Sequence, residues 1–210
     1  MNLRTLRLAL LPAAVALVAI TSGCAASPAP VDVAALTPPP EPAATQGPVP
    51  GSTSTPAPGS WDSVELPAGL TIEVVTAVDD AETSDAVAAI ESFAAEHGAE
   101  VAVSRGADIE PLLTAAALVA PSVIVTIGPT QLDAIDRASA TNAAQRFLLI
   151  GAQLPEPTSN VAAVIWPGAS SRDTDYGQAT AFGSHAASAL AVGLAAVVEE
   201  RTGTVFDLGA

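Results

Sequence analysis

Three short apolar segments between residues 121 and 166 constrain the fold of this chain more than any other feature. They read VIVTIG, FLLIG and VAAVIW, and the first two end on glycine. Strands that are buried on both faces of a parallel sheet have this continuous apolar pattern. Residues 129–142, between the first two segments, carry apolar residues at helical spacing. A strand, a helix and a second strand with short connections form a right-handed crossover, so the sequence predicts a parallel sheet covered by helices.

Strand and helix patterns also alternate through the rest of the folded part. We predict further strands at residues 70–78, 99–104 and 204–208, and further helices at residues 83–97, 108–120 and from 173 or 174 to 201. This alternation predicts an α/β fold with a single doubly wound, mostly parallel sheet in the flavodoxin-like order 2-1-3-4-5, counted from the strand at 70–78. The strand at 99–104 alternates polar and apolar residues, which is typical of an edge strand.

The first 24 residues have the pattern of an export signal. Arg4 and Arg7 precede an apolar run over residues 8–20, which is too short to span a bilayer, and small residues then lead to Cys24. This pattern resembles the signal peptide of bacterial lipoproteins. The resemblance implies a signal peptide over residues 1–23, a palmitate-bearing Cys24, and attachment to the extracytoplasmic face of the cell membrane through the lipid anchor. The alternative is an unpaired cysteine lost with a cleaved secretory signal.

Residues 24–60 contain mainly Ala, Pro, Ser, Thr and Gly, with scarcely an apolar cluster. Such a segment buries too little surface to offset the entropy that it would lose on ordering. We therefore predict a disordered tether over residues 24–60 and a folded lobe over residues 61–210.

Charge and residue types exclude several classes of function. The chain carries 22 acidic residues against seven arginines and no lysine, with a formal net charge of −15. Nucleic-acid binding requires clustered basic residues, so we expect no nucleic-acid partner. One cysteine and two histidines offer neither a disulfide nor a metal-ligand set, and no nucleophile stands in a recognisable catalytic pattern. We expect no metal, no cofactor and no enzymatic activity.

Several segments resemble the basic membrane protein family, the substrate-binding lipoproteins of ABC transporters. The similar segments are VIVTIGPTQLDAI, RFLLIGAQ and AVGLAAVVEERTGTVFDLG, in the folded part between Ser122 and Leu208. The resemblance implies one lobe of a type 1 periplasmic-binding fold and an ABC permease as a partner. Family members close a ligand, typically a nucleoside, between two lobes. Here the loop at residues 79–84 lacks the family's Phe and Asn, which argues against nucleoside binding by a single lobe.

The candidate ligand-binding residues follow the predicted strands, because open α/β sheets bind ligands at the carboxyl ends of their strands. They are Asp79, Asp80, Gly128, Thr130, Gln153 and Trp166. Simpler interpretations exist for three parts of this set. The Asp79–Asp80 loop favours a helix N-terminus, the loop that starts at Gly128 forms a tight turn, and Trp166 packs under the last helix.

Two functions remain open from the sequence. The first is non-catalytic binding of a small-molecule ligand by a membrane-anchored, solute-binding-like lipoprotein. The alternative is a degenerate lobe without a small-molecule ligand, which acts in protein–protein interaction or pairs with itself as a homodimer. A concave pocket lined by polar loop ends favours the first, and an unpaired apolar patch favours the second.

Overall fold

The structure is a computed structural model that describes residues 49–77, 79–130, 132–169 and 182–209. Cys24, the predicted signal peptide and most of the predicted tether lie outside these ranges. Within them, no helix combines the length and the hydropathy that a membrane span requires.

In the described part of the chain, seven strands form one sheet in which every neighbouring pair is parallel. The strands are β1 Ser52–Ser54, β2 Thr71–Thr76, β3 Glu100–Arg105, β4 Val123–Ile127, β5 Phe147–Ile150, β6 Val161–Ile165 and β7 Thr204–Asp207. Their order across the sheet is β1-β7-β6-β5-β4-β2-β3. The predicted order is confirmed for the five strands that it covered, and β3 lies at an edge as its alternating pattern predicted.

Helices cover both faces of the sheet. The described helices are α1 Ala81–His97, α2 Glu110–Val119, α3 Leu132–Thr141 and α4 Phe182–Val198. Side chains of α1 and α4 share one buried apolar cluster with the sheet, and those of α2 and α3 share a second cluster on the opposite face. The chain is therefore doubly wound, as predicted. The first residues of the predicted last helix, up to residue 181, lie outside the described ranges.

Strand β1 was not predicted. It pairs with β7 over Ser52–Ser54, and the Gly51 amide donates to the Gly203 carbonyl at 2.7 Å. The folded part therefore begins upstream of Trp61, and the expected disorder does not hold for these residues. The sequence offers no apolar signature here, because a short edge strand of Ser and Thr is held by its backbone rather than by buried side chains.

A capped helix links the end of β2 to the edge strand. Asp80 is the N-cap of α1, and its Oδ1 accepts a hydrogen bond from the Thr83 amide at 2.7 Å. Gly98 ends the helix in the left-handed region with φ of 70°, and its amide donates to the Ala94 and Ala95 carbonyls. Glycine adopts this conformation without the steric cost that a β-carbon adds. These caps fix where α1 starts at one end of the sheet and where it stops at the other.

A buried asparagine joins the end of α3 to the start of β6. Asn160 is 3% exposed, and its Nδ2 lies 2.9–3.1 Å from the carbonyl oxygens of Ser139, Asn142 and Gln145. Its Oδ1 accepts a hydrogen bond from the Thr158 hydroxyl at 2.6 Å. The amide therefore supplies a donor to the buried carbonyls of Ser139 and Gln145.

Candidate functional site

The strand order creates a topological switch point between the carboxyl ends of β2 and β4. From β2 the chain passes to β3 on one side, and from β4 it passes to β5 on the other. Their crossover helices, α1 and α3, lie on opposite faces, so the loops after β2 and β4 diverge at this point. Ligands of open α/β sheets bind at such a topological switch point. We name it the switch-point crevice and define its walls as residues 79–80 and 128–130.

The two aspartates on the first wall have different surroundings. The Asp80 carboxylate caps α1 through the Thr83 amide, so the simpler interpretation of this residue is confirmed. The Asp79 side chain is 86% exposed and lies 3.9 Å from Arg105 at the end of β3. An exposed ion pair at this distance contributes little to stability, so Asp79 is available to a ligand. No group of three potential metal ligands occurs among the described residues.

On the second wall, Gly128 allows an aromatic ring to approach the backbone. Its φ is 78°, and a β-carbon at this position would lie 3.2 Å from Cζ of Phe182. Thr130, two residues later, is exposed. The second wall therefore combines a buried glycine that contacts a ring with an accessible hydroxyl group.

Aromatic side chains pack tightly below the second wall and form the floor of the switch-point crevice. Gly151, directly after β5, has φ of 73°, and a β-carbon there would overlap Cε1 of Phe182 and lie 2.9 Å from Cη2 of Trp166. The rings of Trp166 and Phe182 meet edge to face at 5.7 Å. The Phe182 amide also lies 3.4 Å from Oε2 of Glu82 in the first turn of α1. Phe182 thus connects the ends of β4 and β5 with the start of α1.

The structure separates the sequence candidates into accessible and buried residues. Trp166 is 3% exposed, lies under α4 and stacks on the His185 ring at 4.7 Å. Gln153 is 5% exposed. The accessible candidates are therefore Asp79, Asp80 and Thr130, whereas Gln153 and Trp166 contribute to the structure behind them.

Sequence reasoning missed three residues of this region. Gly151 carries the same signal as Gly128, a glycine directly after a buried strand. Phe182 is one of four phenylalanines, and no local pattern indicates that its ring reaches two strand ends. Arg105 was placed beyond the predicted edge strand, yet it ends β3 beside Asp79.

Comparisons with known proteins find structural likeness at low identity. No family model matches the chain, and no curated protein matches it. A solute-binding protein of an Aeropyrum pernix K1 ABC transporter system is 20% identical with a TM-score of 0.44, over 47% of this chain and 29% of that one. A putative lipoprotein fragment from Peptoclostridium difficile 630 is 10% identical with a TM-score of 0.44, over 63% of this chain and 98% of the fragment. A sugar ABC transporter from Yersinia enterocolitica is 12% identical with a TM-score of 0.41, over 69% of this chain and 50% of that one.

This chain thus spans less than a third of the Aeropyrum protein and half of the Yersinia protein. By name, these neighbours are a solute-binding protein of an ABC transporter system, a putative lipoprotein and a sugar ABC transporter, in line with the sequence resemblance. At these identities and TM-scores the likeness assigns no ligand.

Proposed function

We propose that this protein is a membrane-anchored, non-catalytic lipoprotein that binds a small polar solute in the switch-point crevice, with an ABC permease as its partner. The observation that carries the proposal is the divergence of the β2 and β4 loops, which places an exposed carboxylate and an exposed hydroxyl at the two walls of the crevice. In this proposal, Asp79 and Thr130 contact the solute directly, and Phe182 and Trp166 hold the second wall in place.

The chemistry of the walls favours a solute with several hydroxyl groups, such as a sugar. A carboxylate accepts hydrogen bonds from hydroxyl groups, and the Thr130 hydroxyl both donates and accepts. The tether and the acylated Cys24 remain part of the proposal, since they place the crevice at the extracytoplasmic face of the cell membrane.

A second candidate function is a protein–protein interaction, either with a different protein or in a homodimer. The observation that favours it is the packing of the Phe182 ring over Gly128 and Gly151, with the Trp166 ring beside it. Pockets for small molecules usually bury most of the ligand surface, and Phe182 occupies space that such a ligand would take. In this alternative the rim of the crevice is a docking surface.

Thermal unfolding with a panel of sugars and nucleosides tests the proposal. The sample is residues 25–210, named the soluble form, which contains every described residue. A bound solute at about 100 times its dissociation constant stabilises the fold by about 2.7 kcal/mol, which raises the melting temperature. Asp79→Asn and Thr130→Ala should reduce this shift, whereas Asp136→Asn, on the exposed face of α3, should preserve it.

Sedimentation of the same samples separates the two candidate functions. A melting shift that depends on Asp79 supports solute binding. No shift with any solute, together with self-association, supports the interaction module and contradicts solute binding.

Membrane attachment has its own test. Cells that express the full chain should incorporate labelled palmitate into it, and the protein should fractionate with membranes. Cys24→Ser should abolish the label. A Cys24→Ser protein that still incorporates labelled palmitate contradicts acylation of this residue.

A further inference from the structure

A second concave surface lies where the segment between β1 and β2 crosses the helices. Trp61 and Leu66 in this segment pack against the apolar cluster that α1 and α4 share with the sheet. Beside Trp61, α4 presents only small side chains, namely Ala187, Ser188 and Ala191. These leave a shallow cavity of about 230 Å³, open to solvent, between Trp61 and the last turns of α1. We name it the Trp61 cavity.

Aromatic and acidic side chains share the walls of the Trp61 cavity. Trp61 and Phe93 supply partly buried rings, and Asp62 and Glu96 supply exposed carboxylates. The chain is only 3% aromatic, so two rings at one cavity are a concentration of a scarce residue type. His97 also lines the cavity, and its ring stacks on Phe93 at 4.2 Å.

The charges at this cavity have one sign. No arginine is among the described residues that line it, and neither carboxylate has an ion-pair partner among the salt bridges of the described chain. An anionic ligand would therefore be repelled by Asp62 and Glu96. A cation gains from both carboxylates and from the faces of aromatic rings, which attract positive charge.

We propose that the Trp61 cavity binds a small organic cation, an alkylated ammonium group whose methyl groups contact Trp61 and Phe93 and whose charge faces Asp62 and Glu96. The volume accommodates a group of the size of choline. This site goes beyond the proposed function, because it is distinct from the switch-point crevice. The crevice lies at the N-terminus of α1 and the cavity at its C-terminus, about 20–25 Å apart at about 1.5 Å per helical residue.

A titration of the soluble form with choline chloride tests the site. The spectra of the ¹⁵N-labelled protein should show two indole signals, because the chain has two tryptophans. At about pH 8, where histidine side chains are generally neutral, the Trp61 signal should shift with saturation and the Trp166 signal should not. The uncharged isostere 3,3-dimethylbutan-1-ol measures binding without the positive charge. It should bind at least about tenfold more weakly than choline.

Two sets of variants locate the site. Asp62→Asn combined with Glu96→Gln removes the carboxylates without disturbing buried groups, and it should weaken choline binding by about tenfold or more. Glu91→Gln combined with Asp136→Asn removes the same charge from exposed positions outside the cavity, and it should leave binding unchanged. Phe93→Leu should also weaken binding about fivefold to tenfold.

Three results would overturn the proposal. The first is a Trp61 signal that does not respond to choline, and the second is equal binding of the neutral isostere. The third is an equal loss of affinity in both double variants, which would indicate attraction to the net charge of the protein rather than a site. Because this response is read at Trp61, its failure is distinguishable from a failure of solute binding at the crevice.

Discussion

Replacement of Gly151 by alanine tests the packing at the floor of the switch-point crevice. Two terms contribute to the expected cost. Gly151 has φ of 73°, a conformation that costs a residue with a β-carbon about 1–2 kcal/mol. The new β-carbon would also overlap the Phe182 ring and lie 2.9 Å from Trp166. Overpacking of this kind costs about 1–3 kcal/mol, so Gly151→Ala should lower the free energy of unfolding by about 2–5 kcal/mol.

A double-mutant cycle with Phe182→Ala isolates the overpacking term. Phe182 is 8% exposed, so its truncation alone should cost about 3 kcal/mol. When the ring is absent, Gly151→Ala should retain mainly its backbone cost. The two substitutions together should therefore cost about 1–3 kcal/mol less than the sum of the single effects.

The assay is urea unfolding followed by tryptophan fluorescence and by circular dichroism. Fluorescence also reports on the packing of Trp166 against Phe182, which should change in every variant that moves the ring. A cost of Gly151→Ala below about 1 kcal/mol, or additivity within about 0.5 kcal/mol in the cycle, would refute the tight contact between Phe182 and the end of β5.

Three further predictions concern the fold. Removal of residues 1–60 deletes β1 and exposes the edge of β7. Residues 61–210 should therefore unfold at a lower urea concentration than the soluble form, with a free energy of unfolding that is lower by about 2 kcal/mol. An unchanged midpoint would contradict a structural role for β1. Asn160→Ala should lower the free energy of unfolding by about 2–3 kcal/mol because it leaves buried carbonyls without a donor. Asn160→Asp should lower it further at pH 7, since a carboxylate would face those carbonyls. The reverse ranking of the two variants would contradict the hydrogen bonds of Asn160. Gly193→Ala should be destabilising by about 1–2 kcal/mol although alanine favours helices, because the added β-carbon would overlap the buried Leu148 side chain. Leu148→Ala should relieve this cost in a double mutant. A stabilising effect of Gly193→Ala would contradict the packing of α4 on β5.

Much of the sheet was predictable because its inner strands are buried on both faces. β4, β5 and β6 are buried along nearly their whole length, and short continuous apolar runs bounded by turn residues are typical of such strands. The edge strand β3 was predictable from its alternation. β1 was not, because its position depends on a backbone ladder with β7, some 150 residues later in the chain, and no side-chain pattern records that pairing.

The candidate site was predictable only in outline. The rule that ligands bind at carboxyl ends of strands depends on strand order alone, and the structure places the loops at Asp79 and Gly128 after β2 and β4 as predicted. Ligand binding by these loops stays a prediction. The exposure of each side chain depends on tertiary packing instead. Trp166 stands at a strand end in the sequence, yet the rings of Phe182 and His185 cover it, and both lie more than 15 residues away in the chain.

The most direct test of solute binding at the switch-point crevice is amide chemical-shift mapping of the ¹⁵N-labelled soluble form during titration with the sugar and nucleoside panel. The account predicts that at least one solute shifts the amides of Asp79, Asp80, Gly128 and Thr130 with a common saturation curve, while amides at the opposite end of α1 stay unchanged. If no panel member moves these four amides, or if the shifts that occur lie elsewhere on the lobe, solute binding at the crevice is contradicted.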